Sequence, residues 1–413
     1  MNEQERILEP AQLRRYADAI VKAGLGVALG DTLVVQAEPA HRELAVEVVA
    51  AGYRAGATIV ELQYYDPLVT RARLLNGRDE SLGAFSPWAK RRMQELAKPS
   101  AARAAITGES EPGYLDGIPP KKIGLDFSRA AEQSKAFRRA NLDMRARWTG
   151  AGWPTDFWAG QVYPDLSPLE GKRRLAQDFL WFCRLTDEDG KGSTGWVKHT
   201  RALARRAVKL TKLGLVALEL RGPGTELDVG LASGTRWLGG PEETQSGVKI
   251  TPNMPTEEIF TSPDAAATNG TFACTFPLSF HGRLIEGLRG EFRGGKLVRL
   301  EASNRKDRDF VAGYLDGDAT GNGRRLGEVA LVDATSRIGQ SGRTYFHTLY
   351  DENAAAHIAF GSGFGGTRVN GARGLNRSDV HLDVMIGGPD LEVTGINAKG
   401  KRVPVIADGL WQI

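Results

Sequence analysis

The chain has 413 residues, 41% hydrophobic and 25% charged, the balance of a globular protein of two or three domains. With only two cysteines, Cys183 and Cys274, a disulfide framework and a CxxC zinc site are excluded, so any metal must be held by histidines and carboxylates. A net charge of +4 is too small to point to nucleic acid, and no run approaches the roughly 18 apolar residues of a membrane span.

The N-terminal MNEQERILEP is charged and lacks the apolar stretch of an export signal. This favours a cytoplasmic protein that binds neither nucleic acid nor membrane.

In chain order, the pattern of Leu13, Tyr16, Ala17, Ile20 and Val21 predicts a helix over 11–24, ended by Gly24 and Gly26. A strand at 31–37, a helix at 41–52 and a strand at 58–62 follow. Together they form a βαβ unit and imply a parallel sheet. Residues 104–107 read as a further strand and 128–147 as a long helix. The segment 148–198, rich in Trp and Pro, reads as irregular. A helix at 199–213 and a strand at 215–220 come next. Two stretches are basic: 121–147 holds eight Lys/Arg against three Asp/Glu, and 198–221 holds seven against one. Their helical rhythm assigns these charges to solvated helix faces.

Gly222-Pro223-Gly224 marks a domain boundary, giving an N-terminal α/β domain over 1–221 and a C-terminal domain over 222–413. After 225, short strands alternate with turns: 226–231, 284–292, 296–302, 329–332, 380–386 and 391–396. Arg293-Gly294-Gly295 marks a hairpin, because consecutive glycines satisfy a tight turn's demand for positive φ. The fold class is therefore α/β, with an N-terminal parallel sheet and a C-terminal mixed, largely antiparallel α+β domain.

Four of the six histidines (His281, His347, His357 and His381) lie in the second half, and His41 and His199 in the first. Metal-type side chains gather there in NMPTEEIF, LGEVALVD, TLYDENAAAH and HLD. Imidazole and carboxylate together suit Zn, Mn, Fe or Co. In His381-x-Asp383, strand alternation directs both side chains to one face. Each residue alone also fits a structural role: Glu328 paired with an arginine, or His357 as a hydrogen-bonded core histidine on an apolar helix face. The spacing matches neither a zinc finger nor HExxH.

The segments NMPTEEIFTSPD, LGEVALVD, TLYDENAAAHIAFG and LNRSDVHLDVMIG, with the opening YADAIVKAGLGVALGDTLVV, resemble the aminopeptidase T / aminopeptidase S family of metalloaminopeptidases. The resemblance spans essentially the whole chain and is strongest from about 250 to 396. It implies a C-terminal catalytic domain holding two divalent ions (Zn, Co or Mn) on Glu258, Glu328, His357, His381 and Asp383. It also implies a homodimer, for which the Trp-rich 148–181 segment is a candidate contact.

The implied reaction is removal of N-terminal residues from peptides, or cleavage of a related amide, by a metal-bound hydroxide. Glu257 would shuttle a proton to the leaving amine. The chain departs from the family pattern at Phe364, where a tyrosine is usual, and at His281 and His347. Tyr345, Tyr350 or His347 are the candidates to replace the lost hydrogen-bond donor. Two further readings stay open: a non-haem iron dioxygenase built on His357, His381 and Asp383, and a degenerate relative without activity.

Overall fold

The computed structural model describes residues 5–280 and 283–413; His281 lies outside them. The chain divides into two compact units, Met1–Val197 with Pro241–Met254, and Lys198–Gly240 with Pro255–Ile413.

The first unit is built on a five-stranded parallel sheet. Its strands are ordered Asn253–Met254, Arg147–Gly152, Ala101–Thr107, Thr32–Ala37 and Ile59–Tyr64. Pro10, Pro67, Pro87 and Pro168 each open a helix, where a fixed φ costs nothing and the missing N–H would have had no partner. The first helix is α-helical over Pro10–Ala19 and closes through a π-helical turn, Ile20–Gly24. Gly26 follows at φ 58°, a conformation that favours glycine.

The long helix runs over Pro120–Leu142, earlier than the expected 128–147. Met144 turns the chain at φ 54°, and Arg147 already begins a strand. Residues 148–198 are not irregular. They contain the end of that strand and the helices Asp156–Val162 and Pro168–Phe182. Prolines that read as breakers are helix openers here, and Thr155 caps its helix by accepting from the Trp158 N–H. Trp153 and Trp158 are buried within their own unit, which removes them as contacts for a second chain.

The second unit holds two large antiparallel sheets beside two-stranded ribbons. The larger has eight strands, ordered Lys296–Glu301, Arg289–Arg293, Pro263–Ala273, Thr225–Leu231, Leu215–Gly222, Glu392–Asn397, Arg402–Ala407 and Leu410–Trp411. Residues 198–221, read from sequence as the end of the first domain, belong here. Leu215–Gly222 pairs with Thr225–Leu231 on one side and Glu392–Asn397 on the other, so its hydrogen bonds tie it to this sheet. Gly294 and Gly295, at φ 56° and 76°, close the expected hairpin. The expected strand 284–292 is two strands, Arg283–Ile285 and Arg289–Arg293.

The smaller sheet has four strands, ordered Ile259–Thr261, Leu326–Leu331, His357–Gly361 and His381–Met385. Alternation gives it two unlike faces. Val329, Leu331, Ile358, Phe360, Leu382 and Val384 enter the main hydrophobic core. There Phe360 lies 5.9 Å from Phe272 and 5.5 Å from Phe292 of the larger sheet, centroid to centroid. Truncating one such core phenylalanine typically costs about 3–5 kcal/mol, so this packing fixes the small sheet from behind. The opposite face carries Glu328, Ala330, His357, Ala359, His381 and Asp383.

Candidate metal centre

The register of the small sheet assembles the centre. Glu328 pairs with Ala359, and Ala359 with Asp383, so the two acids flank a methyl group in one row across three strands. His357 and His381 each stand two residues from that row, on the same face. Gly361 lies opposite His381, and Ala330 opposite His357. The floor beneath the five polar groups is therefore lined by small residues, which leaves room above it. A register shift between Leu326 and Glu328 marks a local irregularity of the kind that re-aims side chains beside functional sites. Glu258 immediately precedes the first strand.

His357 is no helix residue; it begins a strand. Its Nε2 lies 3.2 Å from Glu258 Oε2, and its Nδ1 lies 3.3 Å from the Ala355 carbonyl oxygen. His381 Nε2 lies 3.1 Å from Asp383 Oδ1 and 3.5 Å from Glu328 Oε2. Two groups result whose ligand atoms lie within 4.8 Å of one another: Glu258, Glu328 and His357, and Glu328, His381 and Asp383. Glu328 belongs to both. His357 and His381 fall in different groups, so the three-residue set required by the dioxygenase reading is not one of them.

The electrostatics fit a cation. Burial opposes the charged form of His357, but the Glu258 carboxylate outweighs it and the pKa is raised. At His381 burial is likewise overcome, here by Asp383. Burial would push Asp383 up, yet the His381 imidazole holds it below the usual carboxylate range. A set of carboxylates and imidazoles, buried but for the partly exposed His381 and with one carboxylate common to two triads, is a donor set for divalent ions. Each imidazole also engages backbone through its ring, His357 at Ala355 and His381 at Ser362, as ligand histidines do to fix their orientation.

Glu352 escaped the sequence reading. Burial, with the charges of Asp383, Glu258 and Asp351, raises its pKa well above the ordinary value, which places it in the field of the centre without belonging to either triad. The available signal was its position in TLYDENAAAH, five residues before His357. It sits in a short 3-10 turn, where strand alternation gives no guide.

The other expected residues have different surroundings. Glu257 Oε2 lies 3.4 Å from His199 Nε2, its Oε1 accepts from the Arg337 N–H, and its own N–H donates to Asn353 Oδ1 at 2.7 Å. Tyr345 is fully buried against Tyr350, and the His347 ring meets Tyr350 edge to face. The Tyr345 and His347 N–H groups both donate to Asp351, at 2.6 and 2.9 Å. Burial outweighs these bonds and pushes the Asp351 carboxyl up to about 7. Phe346 between them has φ 55°, a strained value for a bulky side chain. Phe364 lies directly on the centre: its ring meets the His381 imidazole at 79°, centroids 5.4 Å apart, and touches Phe260 at 5.1 Å.

Residues 10–411 match the family model described as thermophilic metalloprotease (M29). The chain belongs to the M29 metalloproteases. It is 35% identical to aminopeptidase T of Thermus aquaticus, over 97% of this chain and 98% of that protein. It is 31% identical to aminopeptidase AmpS of Bacillus subtilis, over 97% and 98%. The solved structure of wild-type AmpT from Thermus thermophilus superimposes with a TM-score of 0.87 at 32% identity, covering 97% of this chain and 99% of that one. As an M29 member the chain is an enzyme, an aminopeptidase acting on peptides, and a metalloprotease family implies a divalent metal. Among the described residues, no helix is long and apolar enough to cross a membrane.

Proposed function

We propose that the chain is a two-ion aminopeptidase whose ions, Zn, Co or Mn, share Glu328. Glu258 and His357 complete one site, and His381 and Asp383 the other. The single observation that carries this reading is the membership of Glu328 in both triads. Ions bound there would supply an activated water at neutral pH and a Lewis acid for the scissile carbonyl.

The chain's own residues do the rest. Glu352, whose pKa is raised by burial and by the neighbouring acids, is the group assigned to hold and return the proton that the leaving amine requires. Glu257 was the sequence candidate for that task, but its carboxylate is engaged by His199 and the Arg337 N–H, so it supports the Glu258 segment instead. Phe364 gives the His381 side of the site an apolar wall and offers no hydrogen bond. Working as a homodimer, which the resemblance implies, and in the cytoplasm, which the scarcity of cysteine favours, belongs to the same proposal.

The test combines metal analysis with peptide turnover. Wild-type protein, stripped and reloaded, is expected to bind two ions per chain and to release N-terminal residues. Glu328→Gln is expected to lose both ions and at least about 10³-fold in kcat, the scale on which losing metal-held charge stabilisation acts. Full metal content and wild-type turnover in that variant would refute the shared-ligand reading. One iron with dioxygen uptake would replace it with the oxygenase.

A further inference from the structure

His381 and Asp383 are carried by a strand at the edge of the small sheet, which among the described residues pairs only with His357–Gly361. An edge strand has one row of backbone groups without a neighbouring strand to bind them. At His381 that row matters most, because a main-chain shift there moves two ligands of one site together.

Gly361, the register partner of His381, directs its own hydrogen bonds elsewhere. Its N–H donates to the Arg325 carbonyl at 2.8 Å, and its carbonyl accepts from Asn376 Nδ2 at 2.7 Å. The pair is thus of the non-hydrogen-bonded kind, in which N–H and C=O point away from the partner strand. Both outward groups of His381 meet one hydroxyl. Tyr314 Oη donates to the His381 carbonyl at 3.2 Å and accepts from the His381 N–H at 3.3 Å.

Tyr314 is itself well seated. It lies on the helix Arg305–Asp316, and its ring packs edge to face on Phe280 with centroids 4.7 Å apart. The turn that follows the same helix grips the chain just upstream: Asp318 accepts from Ser378 Oγ at 2.9 Å and from the Asp379 N–H at 3.0 Å. The helix therefore holds the approach to the ligand strand at two points, and only the Tyr314 contact falls on a ligand residue.

We propose that Tyr314 is a positioning residue for one of the two ion sites: its hydroxyl closes the open edge at His381 and holds the His381–Asp383 pair in register with Glu328. The inference rests on the two-ion reading above. The Tyr314 bonds fall on a ligand that belongs to one triad and not the other, so the effect is selective between the sites. Groups that orient metal ligands from behind typically contribute 10–100-fold to metal affinity.

The test separates the sites by mutation. His357→Ala leaves only the Glu328–His381–Asp383 site intact, and His381→Ala only the Glu258–Glu328–His357 site. Tyr314→Phe, which keeps the ring and its packing, is added to each, and zinc affinity is measured by competition with a chelator.

Tyr314→Phe is expected to weaken zinc about 10–100-fold in the His357→Ala background and to leave the His381→Ala background unchanged. In the otherwise wild-type chain, one of two ions should then be lost first as chelator rises. Equal weakening in both backgrounds would mean general destabilisation and would overturn the proposal, as would no weakening in either. Thermal melts of the metal-free proteins supply the check on folding. If the unsubstituted chain never binds a second ion, the two-ion reading itself falls. If it binds two and Tyr314→Phe is neutral, only the role of Tyr314 falls.

Discussion

His41 and His357 are almost equally buried, at 0% and 1% exposure, yet their environments drive them in opposite directions. His41, in the first unit, is pushed down to about 4 by burial, which hydrogen bonds to the Gly108 and Ile106 backbone only partly offset. His357, in the second, is raised because the Glu258 and Asp383 charges outweigh burial. Backbone carbonyls and amides satisfy a neutral imidazole and stop there. Carboxylates favour the imidazolium, and in a closed space they favour a cation of any kind. Burial alone therefore does not distinguish a structural histidine from a ligand; what the second ring nitrogen faces does.

The sharpest way to break this contrast is to ask whether the acids around His357 do chemistry or merely provide charge. Glu352→Gln removes a proton carrier while keeping size and hydrogen bonding. It is expected to lower kcat by about 10²–10⁴-fold, the usual scale for a positioned acid–base group, with both ions retained. Glu257→Gln should change kcat less than about tenfold on the same reasoning, since its partners are His199 and a backbone N–H. Turnover and metal content measured on both variants decide the matter: the reverse ranking would restore Glu257 to the role read from sequence, and metal loss on Glu352→Gln would make Glu352 a ligand.

Phe364 sharpens the comparison from the apolar side. Its ring already lies against His381, so Phe364→Tyr adds a hydroxyl to an existing packing arrangement. Because a single donor to a developing oxyanion is worth about 10²–10³-fold in rate, the substitution is expected to raise kcat/KM by up to about 10²-fold with metal content unchanged. An unchanged or lower value would show that the chain's own donors already serve the carbonyl oxygen.

Much of this arrangement could be read from the residues. The period-2 runs around Glu328 and His381 and the first two helices of the first unit stand close to where local patterning puts them, whereas the helices Asp156–Val162 and Pro168–Phe182 lie in a stretch read as irregular. Local patterning could not reveal the pairing that brings Glu328, Ala359 and Asp383 into one row, since register is set by partners 24 and 31 residues away in the chain. It also misassigned 198–221, because a strand's sheet is chosen by its neighbours and not by its own composition. Glu352 lay hidden in a one-turn element with no periodicity, and Tyr314 in an ordinary amphipathic helix whose polar residues look alike in sequence.

The smallest expected effect, silent at neutral pH, tests the other half of the comparison. His41 Nδ1 accepts from the Glu38 N–H at 3.1 Å, and Nε2 lies 2.8 Å from the Gly108 carbonyl oxygen. That pattern needs a proton on Nε2 and a lone pair on Nδ1, so protonation would break the Glu38 bond. In the unfolded chain the imidazole takes up a proton near its ordinary value of 6.5, whereas in the fold it does so only near 4. Between those values the unfolded state binds the extra proton, so stability falls as pH falls. Above 6.5 both states are neutral and His41 contributes no slope. The loss approaches about 3 kcal/mol once pH is below both values. His41→Asn keeps an acceptor for the Glu38 N–H but cannot titrate. Urea unfolding of both proteins from pH 7 to pH 4 should show the wild type losing more stability than the variant by up to about that amount. Parallel pH curves would mean that the folded chain accommodates a charged His41, and the distinction between the two histidines would then lie in the metal alone.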